Sequence, residues 1–568
     1  MTNEQIAGVF EQVADLLEIQ GANPFRLRAY RNAARTIKST ADSFESLVSE
    51  RADLTEYPGI GKDLAKQIVE ITKTGQHPKL ADLRQQVPEG VVDMLKIPGV
   101  GPKKAGVFFN TLKLTSLDAL KAAAEAGRLA DLKGFGKKTE QAILENIDMA
   151  AEAGRRVLIS VARTSAETVV EDLLKLEEVT QASVAGSCRR RRETCGDLDV
   201  LVTCAEPSVP MDFLAAHPLV ESLLQRGETK QRVRLSSGVE MDMRVVPNES
   251  FGAALQYFTG SKEHNVVIRQ RAKDRGLKVN EYGVFRGSVQ IAGATEEDVY
   301  QAVELPWIPP ELRENRGEIE AAENGTLPDL LTIDQIKGDL HMHTTASDGT
   351  ASVLEMAEAA KARGLQYIAV TDHSKRVSMA NGLDARRLRR HWEEIRRINE
   401  QIQGIEVLCG IECDILEDAT LDLDDAVLAE ADWVVAVLHY GLNQPRDQIM
   451  KRLLCAVTNP HVHIIGHPTG RLVGRRQGAD INMTEVLRAA ADNGVMMEIN
   501  AHPKRLDLDD IHAAAAKDLD IPIVISTDSH SVNGFDVLQY GVDQARRAGL
   551  SKEDVANTKT WTQFRKLL

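Results

Sequence analysis

The hydrophobic pattern of the C-terminal part of the chain predicts a parallel α/β barrel. Seven apolar runs of strand length each end in, or directly before, a polar residue able to bind a metal ion or a substrate. The runs are Gly338 to His341, Tyr367 to Thr371, Val407 to Ile411, Trp433 to His439, His463 to His467, Val495 to Asn500 and Ile523 to Thr527. Parallel barrels collect their functional groups at the carboxyl ends of strands, where successive loops converge. The pattern therefore predicts a site on one rim of the barrel.

Most of the polar residues at these strand ends are histidines and carboxylates. The candidate metal ligands are His341, His343, Asp348, His373, Glu412, His439, His467, Asp528 and His530. Catalytic zinc takes about three protein ligands plus water, so this number predicts two or three ions that share bridging carboxylates and hydroxide. Imidazole with carboxylate favours zinc, manganese or iron over calcium. A single histidine of this kind is more often a core or surface residue, but here nearly every one follows an apolar run.

A glycine-rich turn precedes a helical pattern three times near the N-terminus. The copies are residues 57–61 (YPGIG), 97–101 (IPGVG) and the looser 132–136 (LKGFG). Gly59 and Gly61, like Gly99 and Gly101, let the backbone turn tightly and present amides to an anion at the positive end of a helix. Lys103 adds positive charge. The third copy is equally well explained as a turn between packed helices, but the repetition predicts contacts to the DNA backbone that do not read sequence.

The middle of the chain carries a candidate pair of catalytic carboxylates. Asp197 and Asp199 share one face of a predicted strand, roughly 7 Å apart by strand geometry. They would repel by about 2 to 3 kcal/mol at an effective dielectric of about 20, and a divalent cation between them reverses that sign. The alternating segment 240–244 can bring Asp242 beside them. Three carboxylates with two Mg²⁺ or Mn²⁺ ions suit in-line phosphoryl transfer.

Composition bounds the class of protein. A chain of 568 residues is expected to divide into several domains. The net charge of −15 argues against indiscriminate coating of polyanions, although local patches can still hold phosphates. The six cysteines form no C-x-x-C pair, and no apolar run approaches the ~20 residues of a membrane span. We also expect no signal peptide. We expect a cytoplasmic, nucleoid-associated protein without membrane contact, and a monomer.

The C-terminal motifs resemble one phosphoesterase family. HMHTTASDG (341–349), TDHS (371–374), GIECDI (410–415), IIGHPTGR (464–471) and STDSH (526–530) occur in the order found in the PHP (polymerase and histidinol phosphatase) family. That resemblance implies a distorted seven-stranded (β/α)7 barrel and a trinuclear centre that hydrolyses phosphate esters. All nine ligand positions of the family are filled.

The remainder of the chain, to about residue 315, resembles the family X DNA polymerases. The resemblance is carried by Gly186-Ser187 with the arginines that follow, by GDLDV (196–200), YFTGS (257–261) and NEYG (280–283), and by NPF (23–25) and RAYR (28–31). It implies that the catalytic metals are held by Asp197, Asp199 and Asp242. For the incoming nucleotide it implies Gly186, Ser187, Arg190 and the Gly196 amide at the triphosphate, Tyr257, Phe258 and Gly260 at the sugar, and Asn265 at the base. Arg269 is implied to face the template.

Together the two resemblances predict a multidomain fusion of the bacterial PolX type. The expected parts are a helical helix-hairpin-helix N-terminal region (1–80 lyase-like domain, 81–150 fingers), an α+β nucleotidyltransferase palm (151–247) and thumb (248–315), a linker (316–336) and a PHP barrel (337–568). The fusion implies gap filling on gapped or nicked DNA with deoxynucleoside triphosphates, 3′→5′ exonuclease activity, and as a further activity incision at abasic sites. Two alternatives stay open: a PHP phosphomonoesterase acting on a small metabolite, with the front half as a tether, and a DNA-binding repair scaffold with a silent polymerase.

One position departs from the family X pattern. Relatives that excise a 5′-deoxyribose phosphate use a lysine in the helix after the first hairpin, and the matching position here is Gln67. A glutamine amide cannot supply the amine nucleophile of imine chemistry. Neighbouring Lys66 points about 100° away on a helix. We therefore expect no lyase activity from this position.

Overall fold

The computed structural model describes residues 1–97, 99–132, 135–147 and 156–568. The chain forms two compact units, residues 1–155 and residues 156–568. Pro98 of the second glycine-rich copy and Lys133 and Gly134 of the third lie outside the described residues. Across the described part of the chain, every helix is too short or too polar to cross a membrane.

The first unit is helical in its described residues. Its helices are α1 (Asn3–Ile19), α2 (Pro24–Ser39), α3 (Phe44–Ser49), α4 (Lys62–Thr74), α5 (Leu80–Gln86), α6 (Glu89–Asp93), α7 (Pro102–Leu112), α8 (Leu117–Glu125) and α9 (Lys137–Ile147). A capping box at Thr2 starts α1, and the Asn23 side chain caps α2 directly before Pro24, which suits the first helical position. Phe10, Phe44 and Phe108 are fully buried in one shared core.

The predicted palm is a mixed sheet with helices against it. Its elements are β1 (Val157–Leu158), α10 (Ile159–Leu173), β2 (Val179–Ala185), α11 (Gly186–Arg189), β3 (Thr194–Cys195), β4 (Asp197–Cys204), α12 (Ser208–Ala215), β5 (Val220–Arg226), β6 (Lys230–Leu235) and β7 (Glu240–Val245). Five strands form one sheet in the order β2-β4-β7-β6-β5, in which β4 and β7 run parallel. This pairing brings the two predicted carboxylate segments side by side.

The predicted thumb follows the palm. Its elements are α13 (Phe251–Thr259), α14 (Lys262–Asp274), β8 (Lys278–Asn280), β9 (Gly283–Arg286), β10 (Val289–Ala292) and α15 (Glu296–Ala302). Part of the expected linker is also folded here. Residues 316–336 contain α16 (Glu318–Asn324), and its Ile319 and Ala322 pack into the thumb core. The polar sequence suggested a loop, but its few apolar residues lie one helical turn apart on a buried face.

The third part of the second unit is a seven-stranded parallel barrel, as expected. Its strands are β11 (Gly338–Asp339), β12 (Tyr367–Val370), β13 (Glu406–Asp414), β14 (Trp433–Val437), β15 (Ile464–Ile465), β16 (Met496–Asn500) and β17 (Ile523–Ser526). Its helices are α17 (Val353–Ala362), α18 (Ala385–Gln401), α19 (Asp425–Leu428), α20 (Arg446–Val457), α21 (Met483–Asn493), α22 (Asp510–Asp518), α23 (Leu538–Arg547) and α24 (Trp561–Phe564).

The barrel strands pair in chain order, and a parallel bridge between Met342 and Ser529 joins the first to the last, so the sheet nearly closes. Alternate strand residues separate two apolar layers. Ile368 and Val370 pack toward the helices, whereas Tyr367 and Ala369 belong to a second cluster with Trp433. The fold class predicted from the hydrophobic pattern and the two resemblances is confirmed.

Candidate active sites

The barrel brings all nine candidate ligands together at the carboxyl ends of its strands. Four overlapping groups of ligand atoms form, each with its atoms within 4.8 Å of one another. The groups are His343, Asp348, His373 and His530; His341, Glu412 and His467; His341, His343 and Asp528; and His373, Glu412 and His439. Several residues belong to two groups, which is the arrangement that closely spaced ions with shared ligands require.

Glu412 is the centre of this cluster. Its Oε1 lies 3.0 Å from Nε2 of His467, 3.2 Å from Nε2 of His341 and 3.5 Å from Nε2 of His439. Its other oxygen contacts Nδ1 of His373. Nε2 of His341 is buried and makes no hydrogen bond within the described residues, although a carboxylate oxygen is close. A buried nitrogen directed at a shared carboxylate fits a metal ligand, because a cation between the two atoms satisfies both.

The short distances between carboxylates and imidazoles shift the pKa values of both kinds of group. Burial alone would raise the pKa of Glu412, but His439, His373 and His341 hold it well below its ordinary value. Burial likewise opposes protonation of His373, yet Glu412 and Asp348 raise its pKa to about 10. The protonated imidazole of His373 thus pairs with the Glu412 carboxylate, whereas burial and the neighbouring imidazoles lower the pKa of His343 to about 4. A cation bound by His373 would displace its proton, since the ligating imidazole is neutral.

Further carboxylates orient the histidines from behind. Glu498 lies 2.7 Å from Nδ1 of His341 and accepts the backbone N–H of His467 at 2.6 Å. Asp414 lies 3.0 Å from Nδ1 of His439. A carboxylate on Nδ1 sets the tautomer that leaves Nε2 free for a metal. Glu498 lies on β16, within one of the seven predicted apolar runs. Asp414 was missed, although its spacing of two from Glu412 places both on one face of β13.

A second buried pair supports the loop that carries Asp348. Asp372 lies 2.9 Å from Nε2 of His391 and accepts hydrogen bonds from the backbone N–H and hydroxyl of Thr344, at 2.9 and 2.7 Å. His391 lies on α18, away from every strand end, and is not among the candidate ligands predicted from the sequence. It is buried and positions the Asp372 carboxylate, which is a structural role.

In the palm, strand pairing juxtaposes the predicted catalytic carboxylates. Asp199 on β4 is directly opposite Asp242 on β7, and Asp197 is opposite Glu240. Burial, with the charges of Asp197 and Asp242, raises the pKa of Asp199 to about 7. A carboxylate that resists ionisation because of neighbouring carboxylates fits a cation site, since a divalent ion removes the repulsion.

Asp242 is paired with two cations from the neighbouring strand. Arg232 on β6 donates to both of its oxygens, at 2.6 and 2.7 Å, and Nζ of Lys230 is 3.0 Å away. Burial opposes ionisation of Asp242, but these ion pairs lower its pKa. Sequence reasoning missed both basic residues, because only the register of β6 against β7 places them beside Asp242.

The predicted nucleotide residues lie around the start of α11 and the end of α13. Gly186 has φ of +64°, and a side chain there would meet Oδ2 of Asp199 at 2.4 Å. Arg190 donates to the carbonyl of Thr259, next to Gly260. Asn265 donates to the carbonyl of Tyr257 at 2.7 Å, and the Tyr257 and Phe258 rings are in contact. Ser187 interacts with Cys195, the neighbour of Gly196. Arg269 is exposed on α14.

The first unit contains the predicted anion-binding turns. Gly59 and Gly99 adopt φ of +80° and +81°, which favours glycine. Gly61 and Gly101 occupy the N-cap positions of α4 and α7, where glycine offers no side chain to the first-turn amides. Lys103 is exposed in the first turn of α7.

Gln67 lies where related lyases carry their nucleophilic lysine. Its side-chain oxygen is 2.9 Å from Nε2 of the buried His77, so the amide is held by a structural contact. Lys66 beside it is exposed. The Gln67 side chain is thus engaged with His77, and the expectation that this position supplies no imine-forming amine stays a prediction.

Family comparisons agree with each part of the chain. Residues 160–249 match the family described as DNA polymerase beta palm, residues 254–314 DNA polymerase beta thumb, and residues 339–502 the PHP domain. Residues 1–77 match a helix-hairpin-helix domain and residues 91–148 a SAM-like helix-hairpin-helix tandem.

One relative matches almost from end to end. Over 565 residues the chain is 40% identical to the DNA polymerase/3′-5′ exonuclease PolX of Bacillus subtilis (strain 168), across 99% of this chain and 98% of that protein. The chain belongs to the PolX family. Two other relatives of this PolX-family chain are partial. DNA polymerase lambda of Rattus norvegicus is 28% identical over 347 residues, 55% of this chain and 56% of its own. A probable phosphatase of Thermoanaerobacter sp. (strain X514) is 31% identical over 233 residues, 39% of this chain and 89% of its own.

Proposed function

We propose that this PolX-family protein is a DNA-directed DNA polymerase that also removes nucleotides from DNA 3′ ends, with synthesis at the palm and hydrolysis at the barrel. The observation that carries the proposal is the presence of two separate clusters of candidate metal ligands. One consists of carboxylates, and the other is rich in imidazole. Gapped or nicked duplex DNA and deoxynucleoside triphosphates are the proposed substrates. The protein acts as a monomer that removes nucleotides from a DNA 3′ end and extends the same end to fill the gap.

For synthesis, Asp197, Asp199 and Asp242 would hold Mg²⁺ or Mn²⁺. Such ions supply activation of the primer hydroxyl and neutralisation of the triphosphate. The remaining work belongs to the chain. Arg190 and Ser187 bind the triphosphate, together with the amide of Gly196 and the close approach that Gly186 permits. Tyr257, Phe258 and Gly260 pack the sugar, Asn265 faces the base, and Arg269 faces the template.

For hydrolysis, the nine barrel residues would hold two or three ions of zinc, manganese or iron. These ions supply a hydroxide at neutral pH and a Lewis acid for the phosphodiester. Glu412 bridges positions within the cluster, and Glu498 and Asp414 keep His341 and His439 in the ligating tautomer. The terminal phosphodiester is the proposed point of attack, and abasic sites are a further proposed substrate.

The first unit holds the DNA backbone through the turns at Gly59 to Gly61 and Gly99 to Gly101. Among the described residues, no side chain caps the start of α4 or of α7, so first-turn amides there, with Lys103, favour phosphate without distinguishing bases. Such contacts suit an enzyme that acts at ends and gaps irrespective of sequence.

One experiment separates the two activities. A gapped duplex with a labelled primer is incubated with and without nucleotides, using the unchanged protein, Asp199→Ala and His343→Ala. We expect Asp199→Ala to lose primer extension and keep shortening, and His343→Ala to show the reverse. Loss of both activities in either folded variant would contradict two independent sites. Faster release of phosphate from a sugar phosphate than of nucleotides from the labelled end would instead favour the metabolite phosphatase.

A further inference from the structure

The barrel touches the segment of the palm that is proposed to bind the triphosphate. Arg547, the last residue of α23, donates to the backbone carbonyl of Arg190 at 2.7 Å. It also donates to Oε1 of Glu314 at 3.1 Å and to Oδ2 of Asp510 at 2.6 Å. Its side chain is 2% exposed. A buried arginine with three acceptors in a fixed fork is a rigid connection, because its donors are oriented by the planar guanidinium.

Glu314 is shared between Arg547 and Arg190. The same oxygen that accepts from Arg547 lies 3.1 Å from Nε of Arg190. Although burial opposes its ionisation, Arg547, Arg190 and Arg192 lower the pKa of Glu314 to about 2. Arg547 and Arg190 are the nearer two, since Arg192 lies 3.8 Å from the same oxygen. Arg190 must release or share this carboxylate to bind a triphosphate. With Arg547 present, the carboxylate charge is already partly neutralised, so the competing ion pair is weaker.

The neighbours of Arg190 are also held by the barrel. Asp543 on α23 is 3.7 Å from Nε of Arg191 and 3.0 Å from an N–H of Arg163. Arg471 donates to Glu193 at 2.8 Å. The segment that follows Ser187 therefore contacts the barrel at three residues, Arg190, Arg191 and Glu193. Of the three barrel partners, Arg547 is the one that reaches the backbone of Arg190.

We propose that Arg547 of the barrel is a positioning residue for nucleotide binding by the polymerase: it fixes the backbone of Arg190 and neutralises Glu314, so that the Arg190 guanidinium is available to the triphosphate. The proposal rests on the proposed role of Arg190 itself. Loss of Arg547 removes the backbone tether and the nearer of the two other guanidinium partners of Glu314, which strengthens the ion pair between Glu314 and Arg190. Both effects weaken nucleotide binding.

The test compares Arg547→Ala with Arg546→Ala in the full chain. Arg546 is a matched control, because it lies on the same helix and joins Glu311 at 2.8 Å and the Leu331 carbonyl at 2.9 Å without reaching Arg190. We expect Arg547→Ala to raise the KM for nucleotide in primer extension about 5- to 20-fold, the range of an ordinary coupling between sites, with kcat little changed. Arg546→Ala should leave KM unchanged. Both variants should keep 3′-end shortening.

Two further variants separate this inference from the proposed function. Arg190→Ala should raise the nucleotide KM, and adding Arg547→Ala to it should raise KM no further, since both act through one group. An unchanged KM in Arg190→Ala would remove the proposed role of Arg190. A raised KM in Arg190→Ala with an unchanged KM in Arg547→Ala would overturn the inference alone.

Arg547→Lys covers the case in which the alanine variant does not fold. Lysine keeps the buried charge but cannot reach the three acceptors together, so we expect an intermediate rise in KM. An unchanged KM in the lysine variant overturns the proposal in that case. So does a fall in kcat and in end shortening at constant KM, which would indicate a general loss of structure.

Discussion

Glu498 contacts two candidate metal ligands, and its substitution tests whether these contacts strengthen metal binding by the barrel. Its oxygens accept from Nδ1 of His341 and the backbone N–H of His467. An amide in Glu498→Gln would direct N–H groups at one of these donors. We expect the affinity of the barrel for Mn²⁺ or Zn²⁺ to fall about 10- to 100-fold, measured by competition with a chromogenic chelator. Glu430→Gln on the exposed surface should bind as the unchanged protein does, and equal affinities in both variants would contradict the assignment.

Substitution of Gly186 tests whether the close approach of the start of α11 to Asp199 matters for synthesis. Alanine there would meet Oδ2 of Asp199 at 2.4 Å in a left-handed conformation. Displacement of a catalytic carboxylate by about 1 Å can cost about 100-fold in rate, so we expect primer extension to fall at least about 10-fold.

Gly238→Ala is the control for Gly186→Ala. Gly238 has φ of +83° and open space around its Cα, so it carries the same backbone strain without touching a carboxylate. It should polymerise normally. Comparable losses of primer extension in the two variants would show that strain alone, and not Asp199, is responsible.

The start of α7 is where we expect the first unit to contact DNA phosphate. Lys103 is exposed in its first turn after Gly101, and Lys113 is exposed at its opposite end. Each phosphate contact releases counterions, so Lys103→Ala should reduce the slope of log affinity against log salt by about 1. Lys113→Ala should leave the slope unchanged. The measurement is fluorescence anisotropy of a labelled gapped duplex over a salt series, and identical slopes for all three proteins would refute the contact.

Burial of His77 between the helices of the first unit predicts that the stability of this unit depends on pH. Burial, with the charges of Lys79 and Arg26, lowers the pKa of His77 from 6.5 to about 4. The unfolded chain therefore binds this proton more readily than the folded chain. The stability of the first unit should fall as the pH drops from 6.5 through about 4, by up to about 3 kcal/mol, and show no such effect above 6.5.

Comparison with His77→Gln isolates this contribution. The variant cannot protonate at this position, so the unchanged protein should lose thermal stability relative to the variant as the pH falls from about 6.5 toward about 4. A constant difference over that range would mean that His77 titrates normally in the folded state.

The candidate metal sites of the palm and the barrel differ in their ligand atoms. This difference predicts which metal ion restores each activity after chelation. The palm offers oxygen ligands alone, whereas the barrel offers mostly imidazole nitrogen. Mg²⁺ prefers oxygen, and manganese and zinc accept nitrogen. After exhaustive chelation we expect both activities to be lost, Mg²⁺ alone to restore extension, and Mn²⁺ to be needed for shortening. Recovery of both activities to the same extent by Mg²⁺ alone would contradict the assignment of ligands.

Local periodicity determined much of what could be predicted. Alternation along strands placed Asp197 with Asp199, and the seven apolar runs predicted the barrel. The polar residues at or just after the ends of these runs supplied the nine candidates that the structure brings together. The glycine turns were recognisable because a tight turn before a helix requires particular residues. These features depend on neighbours a few positions apart, so the order of residues alone specifies them.

Contacts between distant segments were decided only by tertiary structure. Arg232 faces Asp242 through sheet register, α16 folds because the thumb offers it an apolar surface, and Arg547 meets Arg190 across 357 positions of sequence. Each of these depends on how complete elements pack, which no local pattern encodes. The chain thus carries its two chemistries in short motifs, whereas the connection between them exists only once the barrel has folded against the palm.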